Sequence, residues 1–326
     1  MVPDLAEAAR KRKLAAAQAQ AMLLAKRRPL YDNLVVMPVS ALVKLAQRFP
    51  VIVSVELAAI IVTGWWWSGG NVELVTMDAR AWHGEFWRPF SSALPHVDVI
   101  HLVFNLYWLA VFGSRVELVF GSLTTALWLL LFAGGSMMAD YDLADGGVGL
   151  SGVGYGLFGF VWVLSERDFR FHDAMRPQIA QLFVGWFFLC VALTYMDVWH
   201  VANVAHGAGA AFGALAGLVM SPSEGYQRPA AAATLFATVI AVFSAGAFAR
   251  PYVNFTGAAG GELDNLAIEA LQRGDNQAAI NLLERAVSLR GAAASWWHNL
   301  GVAYHREQRN RDAARAFRRA AQLSLD

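Results

Sequence analysis

The sequence predicts an all-α protein, in which a polytopic bundle of membrane-spanning helices is followed by a small helical region. Apolar residues make up 57% of the 326-residue chain and charged residues only 16%, whereas a soluble domain carries roughly a quarter charged residues. Apolar runs approaching the roughly 20 residues that span a bilayer recur along the first three quarters of the chain. Beyond residue 250 they give way to an amphipathic pattern with an internal repeat.

Seven spans are predicted from these apolar runs. We place them near residues 49–67, 99–113, 122–139, 148–165, 178–196, 200–220 and 230–249. The third, fourth, fifth and seventh contain no charged residue, whereas the second and sixth carry histidine and asparagine. Glu56 lies inside the first span, where an unpaired charge costs a few kcal/mol, and we assign it a structural role.

The charges between the spans predict the orientation. All four lysines precede the first span, and three of the loops are basic, with Arg115, with Arg167, Arg170 and Arg176, and with Arg228. The loop between spans three and four is acidic, with Asp140, Asp142 and Asp145. The positive-inside rule then places the N-terminus in the cytoplasm and the C-terminus outside. We expect a bacterial cytoplasmic membrane, with the C-terminal region periplasmic. The basic N-terminal segment would be solvated beside anionic lipid, and a cleaved signal peptide is not expected.

The C-terminal repeat matches the tetratricopeptide pattern, which has a period of 34 residues. Its pattern positions in the second copy are Trp297, Leu300, Gly301, Tyr304, Ala313, Phe317 and Ala320, and small or apolar residues stand one period earlier. Two repeats are fewer than the three usually needed for independent stability, so we expect contact with a protein partner, a second copy or the membrane domain. A generic helical hairpin is the alternative.

These patterns divide the chain into five parts. The predicted boundaries are a basic segment at 1–47, a six-helix core at 48–225, a seventh span at 226–250, a linker at 251–262 and two repeats at 263–326.

Polar side chains lie at a similar depth in the three even-numbered spans, which run in the same direction. Ser151, His206 and the pair His101 and Asn105 stand near the starts of those spans. A histidine that accepts the proton of a serine hydroxyl makes it a nucleophile. His101 and Asn105 are four residues apart on one helix face, and with the Ser151 amide at a helix start they could donate to an oxyanion.

Two further features complete this interpretation. Tyr155 is one turn below Ser151 and could pack against the imidazole of His206. No acidic residue stands near this depth in the even-numbered spans, which favours a Ser-His dyad over a triad.

The small residues of spans four and six admit a simpler interpretation. Gly152, Gly156, Gly209 and Gly213 stand at four-residue spacing, which lets helix backbones approach closely. Taken alone, Ser151 would be one more small interface residue, and a lone transmembrane histidine more often lines a polar cavity. Their joint occurrence at one depth is what favours the dyad.

The sequence lacks residues that other hydrolytic mechanisms require. "GLSGV" departs from G-x-S-x-G at Val153, and no predicted strand precedes it. The sequence contains no H-E-x-x-H, which makes a zinc protease improbable, and Asp142 has no second aspartate within a span. Cys190 is alone, which excludes an intramolecular disulfide and a cysteine metal cage. No metal, cofactor or nucleic acid is expected.

Over residues 45–225 the chain resembles the rhomboid intramembrane serine proteases. The resemblance rests on "EFWRPFSSALPHVDVIHLVFN", "GLSGVGYG" and "NVAHGAGAAFG", in the family's order. It implies that Ser151 is the nucleophile and His206 the general base, with His101, Asn105 and the Ser151 amide at the oxyanion site. Supporting roles would fall to Gly149 and Leu150 in the serine loop, and to Tyr155, His96 and Asn203.

The same resemblance covers the remaining loops. Arg88 and His96 in the first long loop, and Glu117 and Gly121 after the second span, would be structural. The seventh span resembles the six-plus-one layout of part of the family. It puts the C-terminal region on the side from which the active site is reached.

Three functions are compatible with this sequence. The first is an endopeptidase that cleaves transmembrane helices of membrane-protein substrates near their outer end. The second is a catalytically inactive rhomboid-like scaffold that binds membrane clients, a class marked by loss of the serine or histidine, both present here. The third is a transporter, which the single-sided depth of the polar groups and the lack of inverted repeats disfavour.

Overall fold

The computed structural model describes residues 39–222, 226–289 and 293–325, within which all regular structure is helical. The first eight long helices are α1 (Val39–Arg48), α2 (Pro50–Trp67), α3 (Val99–Phe120), α4 (Ser122–Leu143), α5 (Ser151–Arg167), α6 (Pro177–Tyr195), α7 (Asn203–Met220) and α8 (Gln227–Val253). Four helices follow, α9 (Ala258–Gln272), α10 (Asn276–Ser288), α11 (Ala294–Arg306) and α12 (Asn310–Leu323). The all-α prediction is confirmed. The predicted basic segment 1–47 lies largely outside the described residues.

Six of these helices are long and apolar enough to cross a membrane, namely α2, α3, α4, α6, α7 and α8. The fourth predicted span corresponds to α5, which has 17 residues and is buried at every position from 152 to 161. The chain is therefore an integral multi-pass membrane protein, with α5 enclosed by the other helices.

Helix α4 is longer than the predicted third span, and this corrects the placement of two acidic residues. Asp140 and Asp142 lie in its last turns, each only 2% exposed, instead of in the following loop. Asp140 accepts a hydrogen bond from the Ala205 amide at 3.1 Å, and Asp142 lies against Gly246 of α8. The bond from the Ala205 amide explains how the Asp140 carboxyl group can be buried, whereas Oδ1 of Asp142 has no hydrogen-bond partner within the described residues.

Glu117 joins three helices at the opposite end of α4. Its carboxylate accepts from the amides of Val51 and Ile52 at 3.0 and 3.2 Å, and from the Ser122 hydroxyl at 2.7 Å. The first amides of α2 have no intrahelical partner, so this carboxylate satisfies them. Gly121, with φ of +80°, makes the turn between α3 and α4.

The long loop 68–98 is organised around Arg88, which is 1% exposed. Its guanidinium donates to the carbonyls of Glu73 and Thr76 at 2.6 Å and to the carboxylates of Asp78 and Glu85. A buried arginine with all these acceptors fixes the course of the loop.

Aromatic residues of this loop face two ways. Phe86, Trp87 and Phe90 are exposed, which suits aromatic rings at a membrane–water interface. Trp82 instead packs with Met77 and Met138 beside α8.

The core of the bundle is the contact between α5 and α7. A Cβ on Gly209 or Gly213 would collide with the carbonyl oxygen of Gly152 or Gly156 across this contact. The two backbones therefore touch with no side chain between them, as the glycine spacing predicts.

The C-terminal helices form two antiparallel hairpins. Helices α10 and α12 begin 34 residues apart, at Asn276 and Asn310, which is the offset expected from the sequence repeat. The tetratricopeptide assignment itself stays a prediction. The predicted linker 251–262 is shorter than expected, because α9 already begins at Ala258 and Gly260 packs inside it against Trp296.

A buried ion pair attaches the C-terminal hairpins to the membrane bundle. Arg250, at the end of α8, pairs with Glu262 of α9, donates to the Tyr141 carbonyl at 2.8 Å and lies 3.8 Å from the centre of the Tyr141 ring. Glu262 also accepts from the Tyr141 hydroxyl at 3.1 Å and from the Ala79 amide. We call this cluster of Arg250, Glu262 and Tyr141 the anchor.

The anchor fixes the side of the bundle on which the hairpins lie. Tyr141 belongs to the end of α4, and the Phe255 amide donates to the nearby Leu143 carbonyl at 3.0 Å. This end of α4 leads through a short loop to Ser151, so the hairpins lie at the end of the bundle where α5 and α7 begin.

Gly213→Ala should destabilise the bundle by roughly 1–3 kcal/mol, because the new methyl group meets backbone atoms of α5 that cannot rotate away. The matched control is Gly207→Ala in the same helix. A Cβ there would meet only the Phe187 ring, at 3.7 Å, and alanine favours a helix over glycine. Thermal unfolding in detergent measures both, and equal midpoints for the two variants would contradict the packing argument.

Glu262→Ala should weaken docking of the C-terminal hairpins by roughly 3–5 kcal/mol, because it leaves the Arg250 guanidinium buried without its carboxylate. Glu269→Ala is the control. It removes a pair with Arg80 in which the side chains are 37% and 36% exposed, and such pairs contribute about 0–1 kcal/mol. Hydrogen exchange in residues 77–82 reports docking, and unchanged protection in Glu262→Ala would refute the anchor.

Candidate active site

Ser151 is the first residue of α5 and is held there by the loop before it. Its amide has no intrahelical carbonyl to bond and stands at the positive end of the helix dipole. Gly149 has φ of +107°, a conformation that favours glycine, and its amide donates to the Ser92 carbonyl at 3.1 Å. The loop therefore fixes the direction in which the serine is presented.

His96 holds the next residue of this loop. Its Nε2 accepts from the Leu150 amide at 3.2 Å, while Nδ1 lies 2.9 Å from the Leu94 carbonyl, to which it can donate. Burial, with a contribution from neighbouring His101, lowers the pKa of His96 to about 3. The neutral imidazole can then accept at one nitrogen and donate at the other, as this arrangement requires.

His206 lies in the first turn of α7 and reaches the serine. Its Nε2 is 2.8 Å from the Ser151 hydroxyl oxygen, and its ring is 4% exposed. Nδ1 of the same ring has no hydrogen-bond partner within the described ranges, so the structure provides a pair of residues without a third, carboxylate member. This pair can transfer the hydroxyl proton to the imidazole.

Tyr155 fixes the plane of the imidazole. The two rings stack with centroids 4.6 Å apart and planes inclined by 23°. The Tyr155 hydroxyl donates to the Phe183 carbonyl of α6 at 3.0 Å. The phenol ring is thus held at both ends and limits rotation of His206.

His101 and Asn105 lie on one face of α3. The His101 amide donates to the Asp98 carboxylate at 2.8 Å, which caps the helix. The His101 ring borders the serine loop, because a Cβ on Gly149 would lie 2.8 Å from its Nε2. One N–H of Asn105 bonds the His101 carbonyl at 2.9 Å, which leaves the second available to a ligand.

Asn203 begins α7 and Asp140 contacts its first turn, but the sequence predicts a supporting role only for Asn203. Asn203, expected in a supporting role, donates to the Thr194 hydroxyl at 2.8 Å and joins the end of α6 to the start of α7. Asp140, which the sequence interpretation placed in a loop, contacts the turn that carries His206. A predicted third span of 22 residues instead of 18 would have placed Asp140 inside the bundle.

The described residues can be compared with what a metal-binding site requires. Within the described ranges, no group of three or more His, Cys, Asp or Glu side chains is arranged to hold a metal ion.

The fold and this site together define a class, a multi-pass helical membrane protein with a hydrogen-bonded serine and histidine inside the bundle. Residues 83–223, less than half of the chain, match the family model described as the Rhomboid domain.

Two curated relatives are similar to part of this chain. The chain is similar to the rhomboid protease GlpG of Pectobacterium atrosepticum, with 33% identity over 149 residues, which is 44% of this chain and 50% of that protein. It is also similar to the rhomboid protease GlpG of Haemophilus influenzae, with 29% identity over 141 residues, covering 42% and 71%. The chain thus spans half the length of the first of these relatives.

Lowering the pH from 7 to 5 should destabilise the protein by roughly 1–2 kcal/mol through His96. In the unfolded chain the imidazole takes up a proton below pH about 6.5, whereas in the folded protein its pKa is about 3. Proton binding therefore favours the unfolded state throughout this window.

The comparison variant is His96→Gln, which removes the titrating group. Thermal unfolding as a function of pH should show that this variant loses less stability between pH 7 and pH 5 than the wild type. Identical pH dependence in the two proteins would show that His96 contributes nothing to it.

Proposed function

We propose that this chain is an intramembrane serine endopeptidase that cleaves transmembrane helices of membrane-protein substrates. The observation that carries the proposal is the 2.8 Å contact between Ser151 and His206 inside a buried bundle. The similarity to proteins named rhomboid proteases agrees with it.

The proposed reaction is acyl transfer. His206 Nε2 accepts the hydroxyl proton as the Ser151 oxygen attacks the scissile carbonyl, and the imidazolium then gives that proton to the leaving amine. A water molecule activated by the same nitrogen hydrolyses the acyl-enzyme. Hydrolysis of the peptide bond thus consumes one water and regenerates both residues.

The oxyanion would be stabilised by three donors. These are the Ser151 amide at the start of α5, the free N–H of Asn105 and the His101 ring beside Gly149. Donors held in place by the protein stabilise developing charge without having to reorganise during the reaction.

The substrate is inferred from the position of the pair. Ser151 and His206 lie at the starts of two helices, so they would meet a substrate helix near one end, which the predicted orientation makes the outer end. A peptide bond in a regular helix has its carbonyl engaged and shielded. Substrates should therefore carry small or helix-breaking residues near the cut.

The C-terminal hairpins are proposed to recruit a protein partner or the extramembrane part of a substrate. Their attachment through Arg250 and Glu262 at the end of the bundle near Ser151 supports this role. In the predicted orientation they lie on the periplasmic side.

Ser151→Ala and His206→Ala should each abolish cleavage of a labile single-span substrate in proteoliposomes, because one lacks the nucleophile and the other its base. A loss of 10³-fold or more is expected for either. Cys190→Ser, a substitution in α6 at a buried residue outside the pair, should retain activity and serves as the control.

Labelling provides an independent measurement. A fluorophosphonate should modify the wild-type protein at Ser151 and leave Ser151→Ala unmodified. A folded wild-type protein that neither cleaves nor reacts would contradict the protease function and favour the inactive scaffold.

A further inference from the structure

The buried carboxylate of Asp140 contacts the start of the helix that carries His206. Asp140 Oδ1 accepts from the Ala205 amide at 3.1 Å. Helix α7 receives no side-chain cap from its own N-cap residue, Ala202. The first amides of a helix have no intrahelical partner, so a carboxylate from α4 provides the cap that the local sequence lacks.

The capped turn is the one that presents the candidate base. His206 directly follows Ala205, and its own amide bonds the Ala202 carbonyl at 3.2 Å. The second oxygen of Asp140 borders the loop that leads to Ser151, because a Cβ on Gly147 would lie 3.3 Å from Oδ2. One carboxylate thus lies beside both segments that deliver the pair.

We propose that Asp140 is a positioning residue, which fixes the first turn of α7 relative to the serine loop and so maintains the contact between His206 and Ser151. Asp140 acts through the backbone, since its bonded oxygen is occupied by the Ala205 amide. It is therefore distinct from the third member of a catalytic triad, which would bond the imidazole Nδ1. The proposal rests on the proposed protease function.

Three substitutions separate positioning from the general effect of removing a buried charge. Asp140→Leu removes the acceptor, whereas Asp140→Asn keeps an oxygen that can accept from the Ala205 amide. Asp142→Leu is the matched control, because Asp142 is also 2% exposed, stands two residues further along α4 and faces α8 instead of α7.

Cleavage kinetics in proteoliposomes provide the first readout. Asp140→Leu should lower kcat about tenfold or more with KM within about twofold, because displacement of a base by a fraction of an ångström slows proton transfer more than it affects substrate binding. The rate of fluorophosphonate labelling at Ser151 should fall in parallel. Asp140→Asn should retain kcat within about threefold, and Asp142→Leu should leave kcat close to that of the wild type.

Hydrogen exchange provides a second readout that does not depend on activity. The amides of residues 203–206 should exchange faster in Asp140→Leu than in the wild type. In Asp142→Leu their exchange rates should equal those of the wild type. If the wild-type protein is inactive, the protease function fails, while faster exchange still supports the cap and unchanged exchange refutes it.

Several results would overturn the proposal. They are a wild-type kcat in Asp140→Leu, an equal loss of kcat in Asp142→Leu, or a tenfold loss in Asp140→Asn. If Asp140→Leu fails to fold, Asp140→Glu decides, because it keeps the charge but moves the acceptor by one methylene. A fall in its kcat at unchanged KM supports positioning, and a wild-type kcat excludes it.

Discussion

The close approach of α5 and α7 is the constraint on which the candidate site depends. Ser151 and His206 lie on different helices, so the spacing of the backbones sets the distance between hydroxyl and imidazole. Gly209 and Gly213 face the carbonyls of α5 with no side chain between them. Because side chains of the site lie just before this contact on both helices, the glycines that pack the bundle also bring serine and histidine together.

The last turn of α4 connects this contact to the rest of the molecule. Asp140 bonds the start of α7, while Tyr141 takes part in the anchor with Arg250 and Glu262. Neighbouring residues of one turn therefore restrain the helix of the candidate base and the attachment of the C-terminal hairpins. Asp140 and the members of the anchor find their partners on other segments of the fold, which leaves few alternative arrangements.

Much of the site could be predicted, since the residue types that carry it are unusual inside a membrane. Ser151, His206, His101 and Asn105 stood out because polar groups are costly there and occurred at one depth. The role of Asp140 could not be predicted, because the apolar run of the third span ends at this charged residue. The sequence does not reveal that the carboxylate has a partner in another helix. The anchor could not be predicted either, because Arg250 and Glu262 belong to parts of the chain that the sequence assigns to different units.

The sequence by itself determined the class of fold, the approximate positions of the helices and the candidate residues for the chemistry. Hydropathy and glycine spacing are local properties, and each helix satisfies its own backbone hydrogen bonds inside a membrane. Only the tertiary structure decided which polar groups meet, namely His206 with Ser151, His96 with the Leu150 amide and Asp140 with the Ala205 amide. These contacts join residues more than 50 positions apart, and they depend on helix rotation and depth to within an ångström, which no local pattern specifies.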